Sequence, residues 1–400
     1  MSKNTGLQYH PQELEKLKPF AKSEAQLRNL EAVLEYGSER KAADALGMNR
    51  STINASIKSI RTNAARRGHA PDSDMTKTVP DGFSVSGVST MYDADGNLKI
   101  QWVKSKQEAQ KLLELALEAV RESFDGASNK VPVIPKPKKI KTKELLTVYP
   151  MGDPHIGLYA WAEESGADFD VKIAERNLVT ATERLVECAP ASDQALIVNV
   201  GDFFHSDSMD NRTSRSGHAL DVDTRWARVL RVGVRAMRAC IEATLRKHNT
   251  VHVINEIGNH DDHTAQVLTL ALSMAYEDNK RVSFDMGPGR FHYYRFGEVL
   301  IGVTHGDTTK PERLGGIMAT DRPKDWGETV RRYWYTGHIH TRNVFEMPGC
   351  EVESFRTLAA SDAWTASMGY RSGRDMYCIV IHEKYGEIER HRKDILMLKD

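Results

Sequence analysis

The chain has 400 residues, 40% hydrophobic and 28% charged, which excludes a fibrous or wholly disordered protein and favours more than one compact unit. Lysine plus arginine equals aspartate plus glutamate at 55 each, yet residues 1–150 hold 24 basic against 18 acidic side chains and the remainder 31 against 37. That split joins an anion-seeking front to a back that collects carboxylates. The four cysteines (Cys188, Cys240, Cys350, Cys378) form no CxxC pair, no apolar run is long enough to cross a bilayer, and MSKNTGLQYH has no signal core. A cytoplasmic chain without a membrane partner is expected.

Residues 1–70 are predicted helical, with apolar residues at helical spacing through Leu27, Leu30, Val33 and Leu34, then Ala42, Ala43 and Leu46, then Ile53, Ile57 and Ile60. The stretch Ser38–Ile60 resembles a helix-turn-helix, with Gly47 at the turn and Asn49 or Ser51 capping the second helix. Its outward face presents Arg50, Thr52, Asn54, Lys58 and Arg61, followed by Arg66 and Arg67; seven basic residues and one acid fall between 40 and 67. The resemblance implies DNA as partner, with cations on phosphates and amide or hydroxyl groups on base edges. The alternative is a helical module for protein contacts. Residues 71–128 are expected to form a connector: a hairpin turning at Tyr92–Asn97, then a helix over 105–124, with Phe83 and Trp102 assigned to a core. Residues 129–143, containing VPVIPKPKKIKTK, are expected to be an extended basic linker.

From 144 to 400 strands and helices alternate. Leu145–Tyr149, Ala195–Val200, Val251–Asn255, Val299–Thr304 and Arg332–Thr336 are predicted strands; 171–188, 222–247 and 264–278 are predicted helices. Such alternation implies an α/β fold with a largely buried sheet.

Each of those strands runs into a polar cluster: Gly152-Asp-Pro-His155, Gly201-Asp-Phe-Phe-His205, Gly258-Asn-His-Asp261, Thr304-His-Gly-Asp307 and Gly337-His-Ile-His340. Ligands of open α/β sheets bind beyond the carboxyl ends of strands, so the clusters are expected to converge. In this order the blocks resemble the signature of the calcineurin-like metallophosphoesterases: DxH, GD, GNH[DE], H and GHxH. The resemblance implies a four-layer α/β/β/α sandwich preceded by the helical domain and hairpin. It also implies a dinuclear centre: Asp153, His155 and His340 holding one ion, Asn259, His305 and His338 the other, and Asp202 shared. Imidazole and oxygen donors together suit Mn²⁺ first, with Fe, Zn²⁺ or Ni²⁺ as alternatives. His260 would face the phosphate as a catalytic group without ligating metal, and Asp261 would orient it.

The family contains protein phosphatases, phosphodiesterases and nucleases. The GDxFH and GNHD blocks are similar to those of SbcD-type DNA repair nucleases, which makes His205 a candidate for contacting phosphate. Arg212, Arg215, Arg322, Arg371 and Arg374 are candidate substrate cations, and Lys310–Gly327 a candidate substrate-shaping loop. The expectation is a DNA nuclease targeted by its front domain, an architecture that resembles phage- or prophage-encoded proteins acting in a host cytoplasm. A phosphomonoesterase or cyclic-nucleotide phosphodiesterase localised by DNA binding, and a non-catalytic regulator, are the alternatives. A homo-oligomer is left open.

Overall fold

The computed structural model describes residues 11–71, 75, 77–79, 83–93, 95, 98–107, 118, 131–137, 142–213 and 217–398. The chain divides into two compact units, Met1–Glu114 and Leu115–Asp400.

The first unit contains α1 (Pro11–Glu15), α2 (Glu24–Tyr36), α3 (Glu39–Leu46) and α4 (Arg50–Arg66). Ser23 and Ser38 cap α2 and α3 by accepting from the Gln26 and Lys41 amides. Both helices stop at a left-handed glycine, Gly37 and Gly47, so the chain reverses sharply into the next one. Ile53, Ile57 and Ile60 share one face of α4 and bury completely against Leu30, Val33, Ala42 and Ala43. Asn49 stands at the N-cap of α4 without a side-chain bond to it. β1 (Phe83–Tyr92) and β2 (Leu98–Gln107) then form an antiparallel ribbon. The helix expected over 105–124 is displaced at its start, since 105–107 belong to β2; most of the remaining segment lies outside the described residues. Trp102 is about half exposed rather than in a core, because a two-stranded ribbon cannot cover its own faces.

The second unit runs β3 (Leu145–Met151), α5 (Ala162–Ser165), α6 (Val171–Cys188), β4 (Gln194–Asn199), α7 (Trp226–Lys247), β5 (Thr250–Asn255), α8 (Thr264–Ala275), β6 (Val282–Phe284) and β7 (His292–Phe296). It continues through β8 (Val299–Val303), α9 (Pro311–Asp321), α10 (Pro323–Glu328), β9 (Arg331–Thr336), β10 (Asn343–Met347), β11 (Cys350–Ser354), α11 (Ala363–Ser367), β12 (Asp375–His382) and β13 (Gly386–Asp394). The strands make two mixed sheets, one ordered β13-β12-β3-β4-β5-β6 and one ordered β10-β11-β9-β8-β7. Val148, Leu196, Val198 and Ile254 of the first sheet pack against Val299, Ile301, Val303 and Tyr335 of the second in one buried core. Helices α6 and α7 pack together, α6 against β12 and β13 and α7 against β5. On the second sheet, Leu314 and Met318 of α9 bury against Leu300, Trp334 and Val352. Lys310–Gly327 is therefore chiefly helical covering for a sheet rather than an open loop: its leucine and methionine are a turn apart and reach the same tryptophan.

β3, β4 and β5 are parallel and in register, with Met151 opposite Asn199 and Asn199 opposite Asn255, so their carboxyl ends finish level. β8 and β9 are likewise parallel. The loops that follow these five strands meet where the two sheets face each other.

Candidate metal centre

Asp153 and His155 leave β3, Asp202 leaves β4, Asn259 and His260 leave β5, His305 leaves β8, and His338 and His340 leave β9. His155 Nε2 lies 3.1 Å from His340 Nε2, and His340 Nε2 lies 3.5 Å from Asp153 Oδ2. On the other side His305 Nε2 lies 3.2 Å from Asp202 Oδ2 and 3.0 Å from Asn259 Oδ1, with the His338 ring centroid 5.1 Å from that of His305. All seven predicted donors are thus brought into one cluster. The backbone is forced to achieve this: Asp153, His155, Asp202, His338 and His340 all have left-handed φ, between 39° and 69°. Gly337 permits one close approach, since a Cβ there would stand 2.5 Å from Asp153 Oδ1.

The protonation pattern of the metal-free centre is mixed. Burial, reinforced by neighbouring imidazoles, pushes His155, His205 and His340 down, His340 to about 4, so these rings are neutral, the form that ligates metal. Burial opposes ionisation of Asp202, but His305 and His260 hold it well below the usual carboxylate range. Burial also opposes a proton on His305, yet Asp202 and then Asp153 raise it to about 10. Its Nδ1 lies 2.9 Å from the Val200 carbonyl, which can only accept, so Nδ1 donates and Nε2 faces Asp202 and Asn259. Asp153 is fully buried, no side chain among the described residues donates a hydrogen bond to it, and burial lifts it to about 8. A buried carboxyl without side-chain donors, 3.5 Å from the neutral His340 ring and 3.6 Å from the protonated His305 ring, belongs to a donor set that a divalent cation fits on displacing those protons.

His205 is buried behind Phe203 and Phe204, its Nδ1 3.3 Å from His155 Nδ1 and its ring stacked on His260 at 5.2 Å. Among the described residues its Nε2 meets no hydrogen-bond partner. His260 Nδ1 donates to the His205 carbonyl at 2.9 Å, and the His260 amide donates to Asp202 Oδ1 at 2.8 Å. The expectation that Asp261 orients His260 is corrected. Asp261 is fully buried and spends its oxygens on the amides of Gly258 (2.8 Å) and Phe204 (3.0 Å), clamping the β4 and β5 loops together.

Several supporting residues were missed. Arg290 bridges Asp262 (2.5 Å) and Asp307 (2.8 Å), tying the His260 loop to the His305 loop. Thr357 Oγ1 donates to the Asp153 carbonyl at 2.6 Å. Buried His292 joins Glu256 (2.7 Å) to Asp285 (3.2 Å) beneath the β5 loop. Asp262 and Asp307 sit within or beside the motif blocks and could have been found there; Arg290, Thr357 and His292 carry no local signal.

The candidate cations are mostly engaged within the fold. Arg212 donates to the Gly217 carbonyl (2.8 Å), Arg322 to Asp325 (2.7 Å), Arg371 to the Ala366 and Tyr370 carbonyls, and Arg374 to the Leu358 carbonyl (2.7 Å). Arg215 lies outside the described residues. In the first unit, Arg50, Thr52, Lys58 and Arg66 are exposed and Arg61 half-buried. Asn54 is exposed as expected, and its amide donates to Glu39 at 3.0 and 3.2 Å, with Arg50 Nε 3.6 Å from the same carboxylate. Arg67 is half-buried and turns back to the Val79 carbonyl at 3.4 Å.

Comparison with protein-family models and with curated proteins yields no match. Among solved structures, a predicted phosphoesterase from Streptococcus pneumoniae TIGR4 aligns over 62% of this chain and 98% of its own, at 10% identity and a TM-score of 0.27. Zinc-complexed Vps29 from Entamoeba histolytica aligns over 62% and 99%, at 12% identity and 0.26, and a structure of PhoD over 66% and 72%, at 8% and 0.30. Likenesses this weak carry nothing over to this chain. Among the described residues no helix is long and apolar enough to cross a membrane.

Proposed function

We propose that the second unit is a dinuclear-metal phosphodiesterase of calcineurin-like α/β/β/α architecture, acting on DNA that the helix-turn-helix unit recruits. The observation that carries this reading is the gathering of the donors from five strand ends: His155 Nε2 lies 3.1 Å from His340 Nε2, His340 Nε2 3.5 Å from Asp153 Oδ2, and His305 Nε2 3.2 Å from Asp202 Oδ2 and 3.0 Å from Asn259 Oδ1. Two transition-metal ions held there, Mn²⁺ first, would supply an activated water and neutralise charge on the phosphoryl oxygens. The chain's own residues then set the proton traffic. Because Nδ1 of His260 donates to the His205 carbonyl, Nε2 is the ring atom left free to face a leaving alkoxide. His205 stacks on that ring and fixes its plane.

DNA as substrate is supported by the exposed Arg50, Thr52, Lys58 and Arg66 on and after the α3–α4 turn. A tethered DNA-binding unit raises the local concentration of phosphodiester at the catalytic unit. The test is metal content and turnover together. Asp202→Ala should lose both metal and activity, whereas His260→Ala should keep its metal and lose ~100-fold or more in rate. Metal loss in His260→Ala makes that residue a ligand and sinks the assignment. Deleting residues 1–70 should weaken DNA cleavage while sparing a small diester; activity confined to monoesters would defeat the nuclease reading.

A further inference from the structure

The donor cluster does not open onto bare solvent. His155, Asp202, His260 and His340 line a cavity of about 690 Å³ together with a wall of residues from the segment 361–374, among them Trp364 and Tyr370. Two large rings stand on that wall. Trp364 is 59% and Tyr370 53% exposed, and their centroids lie 6.2 Å apart with the planes inclined at 37°. Exposed aromatics that face solvent within a cavity beside a reactive centre are unexplained by packing.

The wall is held in place. Asp362 caps α11 by accepting from the Thr365 amide at 2.7 Å, and Ser372 and Thr341 share a 2.7 Å hydrogen bond that ties the segment to the loop after His340. Arg374 and Arg371 spend their guanidinium groups on main-chain carbonyls. The aromatic faces are therefore presented by a pre-shaped segment, and the cations nearby are used in shaping it. A wall of this kind offers little to a bare phosphate backbone and much to a flat ring carrying polar edges. Ser361 and Thr365, which carry hydroxyls able to meet such edges, line the same cavity.

We infer that this cavity takes an unstacked nucleobase adjoining the scissile phosphate, with Trp364 and Tyr370 as its stacking surface. The substrate class is then single-stranded or frayed nucleic acid, because a base inside a duplex cannot present its face to the wall. The inference rests on the phosphodiesterase reading for the position of the phosphate, and on the wall alone for the base.

The experiment compares two hydrolysis-resistant ligands on the full chain loaded with Mn²⁺: a phosphorothioate single-stranded tetranucleotide of thymidine and its abasic counterpart of equal charge. Fluorescence titration is expected to show roughly tenfold or more tighter binding of the base-bearing ligand. Trp364→Ala and Tyr370→Ala should each pull that ratio toward one while leaving the abasic affinity unchanged, and Trp364→Phe should retain part of it. Equal affinities in the wild type, or equal losses on both ligands in Trp364→Ala, overturn the inference. Cleavage of the corresponding phosphodiesters separates the two claims. Base-selective binding without hydrolysis refutes the phosphodiesterase reading and upholds the cavity, and hydrolysis without base selectivity does the reverse.

Discussion

Gly258 opens the loop that carries Asn259 and His260, and replacing it by alanine tests the centre's geometry directly. A Cβ at Gly258 would lie 1.9 Å from Asp202 Oδ1 and 2.3 Å from the Asp202 amide nitrogen, where ordinary contact begins at 3.4 Å. The carboxylate must retreat by about 1.5 Å and the backbone by about 1.1 Å, the differences from that limit. Rotation of the side chain cannot absorb this. Oδ1 accepts the His260 amide at 2.8 Å and Oδ2 lies 3.2 Å from His305 Nε2, so turning away breaks one contact or the other. Overpacking of this kind costs ~1–3 kcal/mol, and displacing a reacting group by ~1 Å costs on the order of 100-fold in rate. Gly258 is not among the left-handed glycines, so the cost is steric rather than conformational. Urea denaturation in chelator, metal content and initial rates on a small diester measure the three consequences. As a control, Gly316→Ala inside α9 meets nothing within 4 Å and should be neutral or stabilising by up to ~1 kcal/mol. A Gly258→Ala protein within about 0.5 kcal/mol of wild type that turns over within about twofold would refute the argument.

Two further predictions concern charge. In metal-free protein burial lifts Asp153 to about 8, above its unfolded value, so the folded state binds the extra proton and stability declines as pH rises from about 4 through about 8. Asp153→Asn should therefore be the more stable protein in chelator at pH 8, by ~1 kcal/mol or more, while binding less metal; a stability difference between wild type and Asp153→Asn that does not change between about pH 4 and pH 8 would contradict it. Burial works against a proton on His292, but Asp285 and Glu256 outweigh it and raise the imidazole to about 9. That group adds stability fully present below its ordinary value near 6.5 and lost as pH rises through about 9. His292→Gln should cost ~1–3 kcal/mol at pH 6 and much less at pH 10, and a cost independent of pH would show that packing, not charge, is lost.

The site was legible because its chemistry is local to each strand end. A strand running into Asp-x-His or Gly-His-x-His announces both the donors and where they stand, since parallel strands in register deliver their last residues to one level. Asp261 shows where that logic stops. Its neighbour in sequence is His260, but its partners are the amides of Gly258 and Phe204, and only the approach of the β4 loop makes the second of these available. The same limit hid Arg290, whose two acids come from separate loops. On α4 the helical period correctly marked the buried face of Ile53, Ile57 and Ile60. It could not reveal that the Asn54 amide is already bonded, because Glu39 lies 15 residues earlier and reaches it only across the turn at Gly47.

The strain at the centre extends this argument to dynamics. Among the described residues six non-glycines have left-handed φ, and five are candidate ligands: Asp153, His155, Asp202, His338 and His340. Each such conformation costs of order 1–3 kcal/mol, and the buried Asp153 adds a desolvation cost in the absence of a cation. The sheets beneath carry no such burden: Leu196, Ile197 and Val198 of β4 are fully buried and paired on both sides. Metal-free protein should therefore open at the loops before the strands. The amide of His155, which donates to the Asp202 carbonyl at 3.0 Å, is a reporter for this opening. Its hydrogen exchange should slow by tenfold or more on adding Mn²⁺, while β4 amides change far less. Equal slowing in loop and strand would mean that the ions stabilise the whole unit rather than relieve strain stored at its edge.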